Sequence, residues 1–354
     1  MAVLKKNSVL VVVNDISMPG GLAKAAILLA SEVDATVLSL VKPRDVFFNT
    51  EHLKIESICL PKLHVLSKFS RLFWYAKCFI RLAYYLKKSE YKNIVGIGGV
   101  LSIMLGFMKI KGKNVIGTEH TSFASQGVIR KVIKKISYKG LNSLVVLTDR
   151  DKEKFSSYSK NICAIPNFIQ SDQKFISRDF SSNILFVGRL NETKGYDYLV
   201  EIMGKVMRNN SESKLCVIGE GEEAVLEKDF SGFLDRVTYI ASTKEMEKIY
   251  KSSSILISCS RSECFPMIFL EAKAFSLPIV AFDCETGPKE LIVNGDDGFV
   301  VPLGDTDGFA KVLIYLMEDR EVYDQMSYHS YLSVKKFGVE RFQRQWHELL
   351  SMLN

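Results

Sequence analysis

Two acidic residues eight positions apart, Glu263 and Glu271, bracket the segment Ser260-Arg-Ser-Glu-Cys-Phe-Pro-Met-Ile-Phe-Leu-Glu. Glu263 falls in a loop with Pro266, just past an apolar run. Met267 to Phe275 read as a helix, so Glu271 lies a turn or more inside it. A helix start offers unpaired N–H groups and the positive end of the macrodipole, which suits a diphosphate or the hydroxyls of a sugar. Carboxylates beside it accept hydrogen bonds that hydroxyls can donate and phosphates cannot. Taken alone, a helix start with one capping Glu accounts for the same spacing. A second cluster, Phe186-Val-Gly188-Arg189-Leu-Asn-Glu-Thr-Lys194-Gly195, puts a guanidinium and an ammonium directly after another apolar run. Two fixed cations and a glycine loop are what a diphosphate leaving group needs, because charge grows on it as the bond breaks. The plain alternative is a solvated basic turn.

The N-terminal half holds two further candidates. Met18-Pro-Gly20-Gly21-Leu follows the first apolar run and opens a helical pattern, which would let backbone approach a phosphate or an acceptor; an ordinary strand-to-helix turn reads the same. Thr118-Glu-His120-Thr121 follows a run ending at Gly117, and His120 is singled out among five histidines by that position.

The elements that must position these residues come in two series. Apolar runs at Val9 to Val13, Thr36 to Val41, Ile94 to Ile97, Asn114 to Gly117 and Leu144 to Leu147 are separated by longer segments of helical periodicity. Continuous runs of this kind are what parallel strands covered on both faces look like. The series restarts at Ile184 to Val187, Leu215 to Ile218, Val237 to Ile240, Ile255 to Ser258 and Ile279 to Phe282. The expected organisation is α/β: a Rossmann-like domain over 1–169, a linker over 170–182, a second Rossmann-like domain over 183–335, and a closing helix over 336–354 returning to the first domain. Two doubly wound domains in tandem imply a cleft between them where strand C-termini and helix N-termini meet a ligand. Phe342, Trp346, Leu349, Leu350 and Leu353 stand at helical spacing in the tail.

At 354 residues, 47% hydrophobic and 25% charged, the chain suits two globular domains. Its longest apolar runs fall short of the roughly 18 residues of a spanning helix, and its start lacks a signal-peptide cleavage pattern. Seven scattered cysteines without a C-x-x-C pair suggest neither a disulfide framework nor a zinc site and fit a reducing, cytoplasmic compartment. The net charge is +7, but Leu60 to Gly140 holds 16 Lys and Arg against two acids, leaving a net −7 elsewhere. That asymmetry points to an anionic partner, nucleic acid or acidic lipid. Lys68 to Lys88 places apolar or aromatic residues at 69, 72, 73, 76, 79, 80, 83 and 84 among cations at 68, 71, 77, 81, 87 and 88, the pattern of an interfacial membrane helix. A helix packed on a sheet would show the same stripe. Arg130-Lys131 with Lys134-Lys135 adds to the electrostatic attraction.

Taken together and in order, Gly188-Arg189, Lys194-Gly195, Val217-Ile-Gly219-Glu-Gly221, Glu263-x7-Glu271, Gly287-Pro288-x-Glu290 and Asn294-Gly295-x-x-Gly298 resemble retaining glycosyltransferase family four, closely over roughly 180 to 305 and more loosely in the N-terminal half. The resemblance implies the GT-B fold, and a hexosyltransferase that moves a sugar from a nucleotide-sugar donor to a glycan or lipid-linked acceptor with retention and no metal. It implies that Arg189 and Lys194 bind the donor diphosphate with Gly188, that Glu271 binds the ribose, and that Glu263 with the backbone of Phe265, Pro266 and Met267 holds the transferred sugar. Gly20 and Gly21 would face phosphate or acceptor, and His120 would reach the donor sugar. UDP is the commonest nucleotide among similar proteins, and Asp283-Cys-Glu-Thr-Gly-Pro-Lys-Glu290 is similar to surface-polysaccharide enzymes that often use galactose-type donors. Similar proteins often work at the inner face of the cell membrane. Cys264, and Ser276 before Leu277-Pro278, stand where relatives usually have Gly.

Three other classes stay in view. Gly219-x-Gly221 after a strand is a partial dinucleotide fingerprint of an NAD-dependent oxidoreductase, on the second rather than the first strand of its domain and with no clear acidic partner. Asp149-Arg-Asp151 and Asp305-Thr-Asp307 match the Asp-x-Asp of metal-dependent GT-A glycosyltransferases, although Asp also favours caps and turns. A nucleic-acid binder would use the basic stretch, but no nucleic-acid module is recognisable.

Overall fold

The computed structural model describes residues 8–62, 68–170, 174–177 and 181–353, without the side chains at 68, 69, 71 and 72. The chain divides into two units, one of Met1–Asn167 with Val339–Asn354 and one of Phe168–Gly338.

In the first unit the strands are β1 (Val9–Val13), β2 (Thr36–Val41), β3 (Ile55–Leu60), β4 (Asn93–Gly96), β5 (Asn114–Thr118), β6 (Ser143–Val146) and β7 (Ile162–Ala164). The helices are α1 (Gly21–Glu32), α2 (Lys68–Lys88), α3 (Gly99–Met108), α4 (Val128–Ser137) and α5 (Asp149–Lys154). The sheet runs β3-β2-β1-β4-β5-β6-β7, all parallel. The order reverses at β1, where β2 and β4 lie on opposite sides, so the strand ends there open a crevice for ligands. The central strands are buried along their whole length, as their unbroken Val, Ile and Leu runs require.

Helix α2 packs on this sheet through Trp74, Cys78, Leu82 and Leu86, spaced four apart, and the Trp74 indole donates to the Pro61 carbonyl at 2.8 Å. Phe73, Ile80 and Tyr84 are exposed. The apolar stripe read from sequence is therefore displaced around the helix: four of its members, Phe73, Ala76, Ile80 and Tyr84, are exposed because Trp74 and Cys78 supply the buried row instead. Its positions 69 and 72, with the cations at 68 and 71, lie outside the described side chains. The last helix, Val339–Leu353, belongs to this unit.

The second unit contains β8 (Asn183–Val187), α6 (Tyr196–Asn209), β9 (Lys214–Ile218), α7 (Glu223–Asp229), β10 (Val237–Ile240), α8 (Met246–Ser252), β11 (Ile255–Ser258), α9 (Met267–Ala274), β12 (Ile279–Asp283), α10 (Pro288–Leu291), β13 (Gly298–Pro302), α11 (Thr306–Glu318) and α12 (Arg320–Val334). Its parallel sheet runs β10-β9-β8-β11-β12-β13, reversing at β8. Helix α13 (Val339–Leu353) buries Phe342, Trp346, Leu349 and Leu350, and Gln343 donates to Glu32 of α1 at 2.6 Å.

The units meet in sequence at 167/168 and 338/339, two residues before and three after the boundaries read from the sequence. The described part of the expected linker is tied to the second unit. Phe175 stacks edge-on against Tyr328, and the Ile176 amide donates to Ser276 Oγ at 3.2 Å. The rest of that stretch, 171–173 and 178–180, lies outside the described residues. Ser276 sits at φ +62, the left-handed region that favours glycine. Its carbonyl accepts from Ser327 Oγ of α12 at 2.7 Å. These two hydrogen bonds offset a conformational cost of about 1–2 kcal/mol.

Behind α9, Lys273 is buried with its ammonium 2.6 Å from Asp297 and 2.9 Å from Ser333 of α12, and Asp297 also accepts the Val293 amide at 2.9 Å. Burial pulls the Lys273 pKa down to about 8 despite Asp297. Asp297→Ala would leave a buried ammonium without its counter-charge, and denaturant unfolding should show a loss of about 3–5 kcal/mol; a cost under about 1 kcal/mol would mean the pair is not load-carrying.

Candidate active site

In the second unit the first turn after β8 is folded tightly. Gly188 and Leu190 donate to the backbone of Ile218 and Glu220 at 2.8 and 2.9 Å, locking the Arg189 turn to the end of β9. Gly219 stands at φ +150, and a Cβ there would lie 2.0 Å from the Gly188 carbonyl. A Cβ on Gly221 would strike Leu190. The glycines that mimic a dinucleotide fingerprint are thus consumed by contact between two loops of the chain, which accounts for them without a pyrophosphate.

Asn191 caps the single turn Glu192–Lys194 by accepting the Lys194 amide at 3.0 Å. Gly195 follows in the left-handed region at φ +67, where a Cβ would lie 1.9 Å from the Cys259 carbonyl. This approach brings the Lys194 turn against the end of β11. The Lys194 ammonium reaches Glu263 Oε1 at 2.6 Å, and Ser260 Oγ donates to the same oxygen at 2.7 Å. Two residues 69 positions apart become one cation–carboxylate pair. An ammonium carries three donors, so the pair still leaves capacity for a further anion. The aliphatic stem of Lys194 passes 3.4 Å from where a Gly188 Cβ would stand, next to Arg189. Arg189 is exposed and has no ion-pair or hydrogen-bond partner for its guanidinium among the described residues.

Sequence reasoning passed over Arg261. Its guanidinium forks onto Asp197 at 2.7 and 2.5 Å, donates to the Glu192 carbonyl at 2.7 Å, and lies 3.9 Å from the Tyr198 ring centroid. It fastens the 192–194 turn from outside, and no motif spacing announces that role. Thr286 Oγ1 donates to the Glu263 carbonyl at 2.7 Å, tying the segment after β12 to the same loop.

Pro266 is the N-cap of α9 and has no N–H, so of the three residues 265–267 only Phe265 and Met267 can donate from backbone. Phe265 is buried edge-on against Phe337. One turn into α9, Glu271 accepts from the Tyr250 hydroxyl at 2.7 Å; the Tyr250 ring is buried and stacked on Phe275 at 5.5 Å. Its carboxylate is therefore held in one orientation.

In the first unit, α1 opens at Gly21 with Gly20 as its cap and no capping side chain. A Cβ at either glycine would meet nothing within 4 Å, so packing within the chain does not call for glycine there. A cavity of about 260 Å³ lies at the β1, β4 and β5 ends, walled by Leu22, Trp74, Ile97 and Met104 and with His120 and Arg130 among its polar residues. Thr118 Oγ1 donates to the Gly96 carbonyl at 3.0 Å and stands 3.0 Å from His120 Nε2. With the hydroxyl hydrogen already committed, Nε2 is the donor to Thr118 and Nδ1 keeps its lone pair. Burial pushes the His120 pKa down to about 4.

Next to it, Glu119 (1% exposed) pairs with Lys134 (2% exposed) at 2.7 Å and accepts from Tyr138 and from Gln126. Desolvation raises the Glu119 pKa against the pull of Lys134. Lys134 is thus an internal ion-pair partner and not a surface cation, which removes one of the four charges assigned to a lipid surface from the sequence. Three of the four carboxylates of the Asp-x-Asp pairs are also accounted for. Asp151 accepts the Phe123 amide and the Thr148 hydroxyl, both at 3.2 Å, Asp305 caps α11 by accepting the Gly308 amide at 2.9 Å, and Asp307 pairs with Lys205. No cluster of three His, Cys, Asp or Glu side chains able to hold a metal occurs among the described residues.

Two parallel α/β units, each with its order reversing at its first strand, give this chain the GT-B fold. HepE from Anabaena, solved with UDP and glucose, superimposes with a TM-score of 0.82 at 14% identity over 98% of this chain and 99% of its own. Residues 169–332 match the model of the glycosyl transferases group 1. Among its relatives are an uncharacterised glycosyltransferase of Haemophilus influenzae, 29% identical over 75% of this chain and 78% of that protein, and the amylovoran biosynthesis glycosyltransferase AmsD of Erwinia amylovora, 28% identical over 72% and 77%.

A His120 held neutral by burial leaves a signature in pH dependence. Above pH 6.5 the ring is neutral in both folded and unfolded chains; between 6.5 and about 4 the unfolded chain takes up a proton that the folded chain refuses, so stability falls as pH falls. NMR titration should find this ring neutral down to about pH 4, and His120→Gln should flatten that part of the stability curve. A ring titrating near 6.5 would contradict the assignment.

Proposed function

We propose that the chain transfers a hexosyl group, with retention of configuration and without a metal, from a UDP-sugar to a glycan or lipid-linked acceptor in surface polysaccharide synthesis, as a peripheral protein at the cytoplasmic face of the cell membrane. The observation that carries this reading is the Lys194–Glu263 pair at the opening of α9, with Arg189, unpaired among the described residues, beside it.

Arg189 and Lys194 receive the donor diphosphate. As the bond from the anomeric carbon to the diphosphate oxygen breaks, the negative charge left on that oxygen is met by two cations, the role a metal fills in other transferases. The acceptor hydroxyl attacks the anomeric carbon from the side the diphosphate leaves, and its proton passes to the departing phosphate oxygen. Glu263, oriented by Lys194 and Ser260, accepts from sugar hydroxyls and positions the hexose without forming a bond to it. Glu271, oriented by Tyr250, accepts from the ribose hydroxyls. In the first unit, the exposed backbone at Gly20 and Gly21 is assigned to phosphate or acceptor, and the neutral His120 offers Nδ1 to a sugar hydroxyl. The apolar cavity beside it suits the non-sugar part of an acceptor. HepE, solved with UDP and glucose, and AmsD, named for amylovoran biosynthesis, support the donor and pathway class. A galactose-type hexose is the donor we favour, from the Asp283 to Glu290 segment.

Replacing both Arg189 and Lys194 by Gln should lower kcat/KM by at least about a hundredfold, mostly in kcat, since their charges act on the breaking bond. Turnover within a factor of about two would refute the assignment. In a thermal-shift series with UDP, GDP and ADP sugars, UDP sugars should give the largest stabilisation and Glu271→Ala should abolish it; an unchanged shift would exclude the ribose role. Gly20→Ala should leave stability within about 0.5 kcal/mol, because its Cβ meets empty space, while turnover drops.

A further inference from the structure

Helix α4 is built inside out. Of its ten residues the two that are buried are Lys134 and Ser137, whereas Val128 (78% exposed), Ile129 (79%), Val132, Ile133 and Ile136 (60%) face outward. At 100° per residue those five occupy a single arc of about 140°. The helix is anchored by other means. Lys134 is ion-paired to Glu119, and the helix end comes so close to α3 that a Cβ on Gly106 would lie 2.2 Å from the Ser137 carbonyl. An arc of five branched apolar side chains on one helix far exceeds the scattered exposure expected of a soluble surface and calls for a cover.

The chemistry of that cover is set by what borders the arc. Arg130 and Lys135 stand at its two edges, Lys139 follows, and no acidic residue occurs between Glu119 and Asp149. Cationic side chains bordering an apolar face can reach headgroup phosphates while the apolar residues sink into the acyl boundary. A second copy fits poorly, because a two-fold contact across this face would bring the same cations together. We propose that α4, rather than the basic helix α2, is the element that seats this chain on an anionic lipid bilayer. Helix α2 spends its buried row on the core, while α4 spends none of its apolar residues there. The same helix carries Arg130 and Lys134 into the wall of the His120 cavity, so membrane contact is made by the element that also bounds the acceptor side.

The inference specifies the membrane contact of the proposed function and rests on that reading. Its test does not use turnover. Full-length protein would be floated with vesicles of phosphatidylcholine alone and of phosphatidylcholine mixed with phosphatidylglycerol, and donor-induced thermal shift measured in parallel to report on the donor site separately. The expected result is binding to the mixed vesicles, lowered more than about tenfold by Val128→Ser with Ile129→Ser and Ile136→Ser. Lys135→Gln with Lys139→Gln should weaken it about fivefold per charge on mixed vesicles, with no effect on neutral ones. Phe73→Ser with Ile80→Ser on α2 should leave it within a factor of about two. All these positions are exposed, so folding should survive, as an unchanged thermal midpoint would verify. The idea is overturned if the parent floats with neither vesicle, if the α2 variant loses binding and the α4 variant does not, or if ultracentrifugation shows a dimer that the α4 variant dissolves.

Discussion

The pairing of Lys194 with Glu263 is the contact around which the second unit's site is organised. An ammonium on a one-turn helix and a carboxylate on the loop before α9 can meet only because Gly195 lets its turn lie directly on the Cys259 carbonyl. The pair does two things at once. It holds a carboxylate in place that solvent would otherwise leave to several rotamers, and it keeps a cation at the mouth of a helix N-terminus, where its own field and the dipole add. Asn191, Arg261, Ser260 and Thr286 each restrain one side of that contact. The preorganisation resides in these hydrogen bonds and not in the apolar core beneath.

Elsewhere the fold uses buried charge in the same manner. Glu119 with Lys134 and Lys273 with Asp297 are both shielded from water, and each ties an element bearing candidate residues to its neighbours. Apolar residues of equal size could stabilise as well, but they would not fix direction. Direction matters at both places, since His120 follows Glu119 and α9 carries both Glu271 and Lys273.

The architecture was largely readable from the chain. Covered parallel strands must be apolar throughout, and nine of the ten runs read from the sequence are central strands of that kind; the tenth is the edge strand β10. The three strands not foreseen, β3, β7 and β13, all lie at sheet edges, where one side needs no cover and the run is diluted by residues such as Glu56 and Ser57. The charged candidates could be named because type and spacing survive translation into one dimension. Arg261 and Tyr250 were not, because their work consists of holding another residue and leaves no periodic trace. The face of α2 was misjudged since Trp and Cys count as core as readily as Leu and Ile. The inverted burial of α4 was equally hidden: VIRKVIKKIS reads as an ordinary amphipathic helix until a partner for Lys134 appears fifteen residues upstream.

Ser276 gives one more consequence. A glycine in that turn would reach its left-handed geometry freely and keep the carbonyl bond to Ser327 but lose Ile176; serine reaches it under strain and holds Ile176 through its hydroxyl and Ser327 through its carbonyl. The strained turn thus acts as a clasp. Opening it would free Ile176 and the flank of α12 in one event, so these two places should come apart together rather than fray one by one.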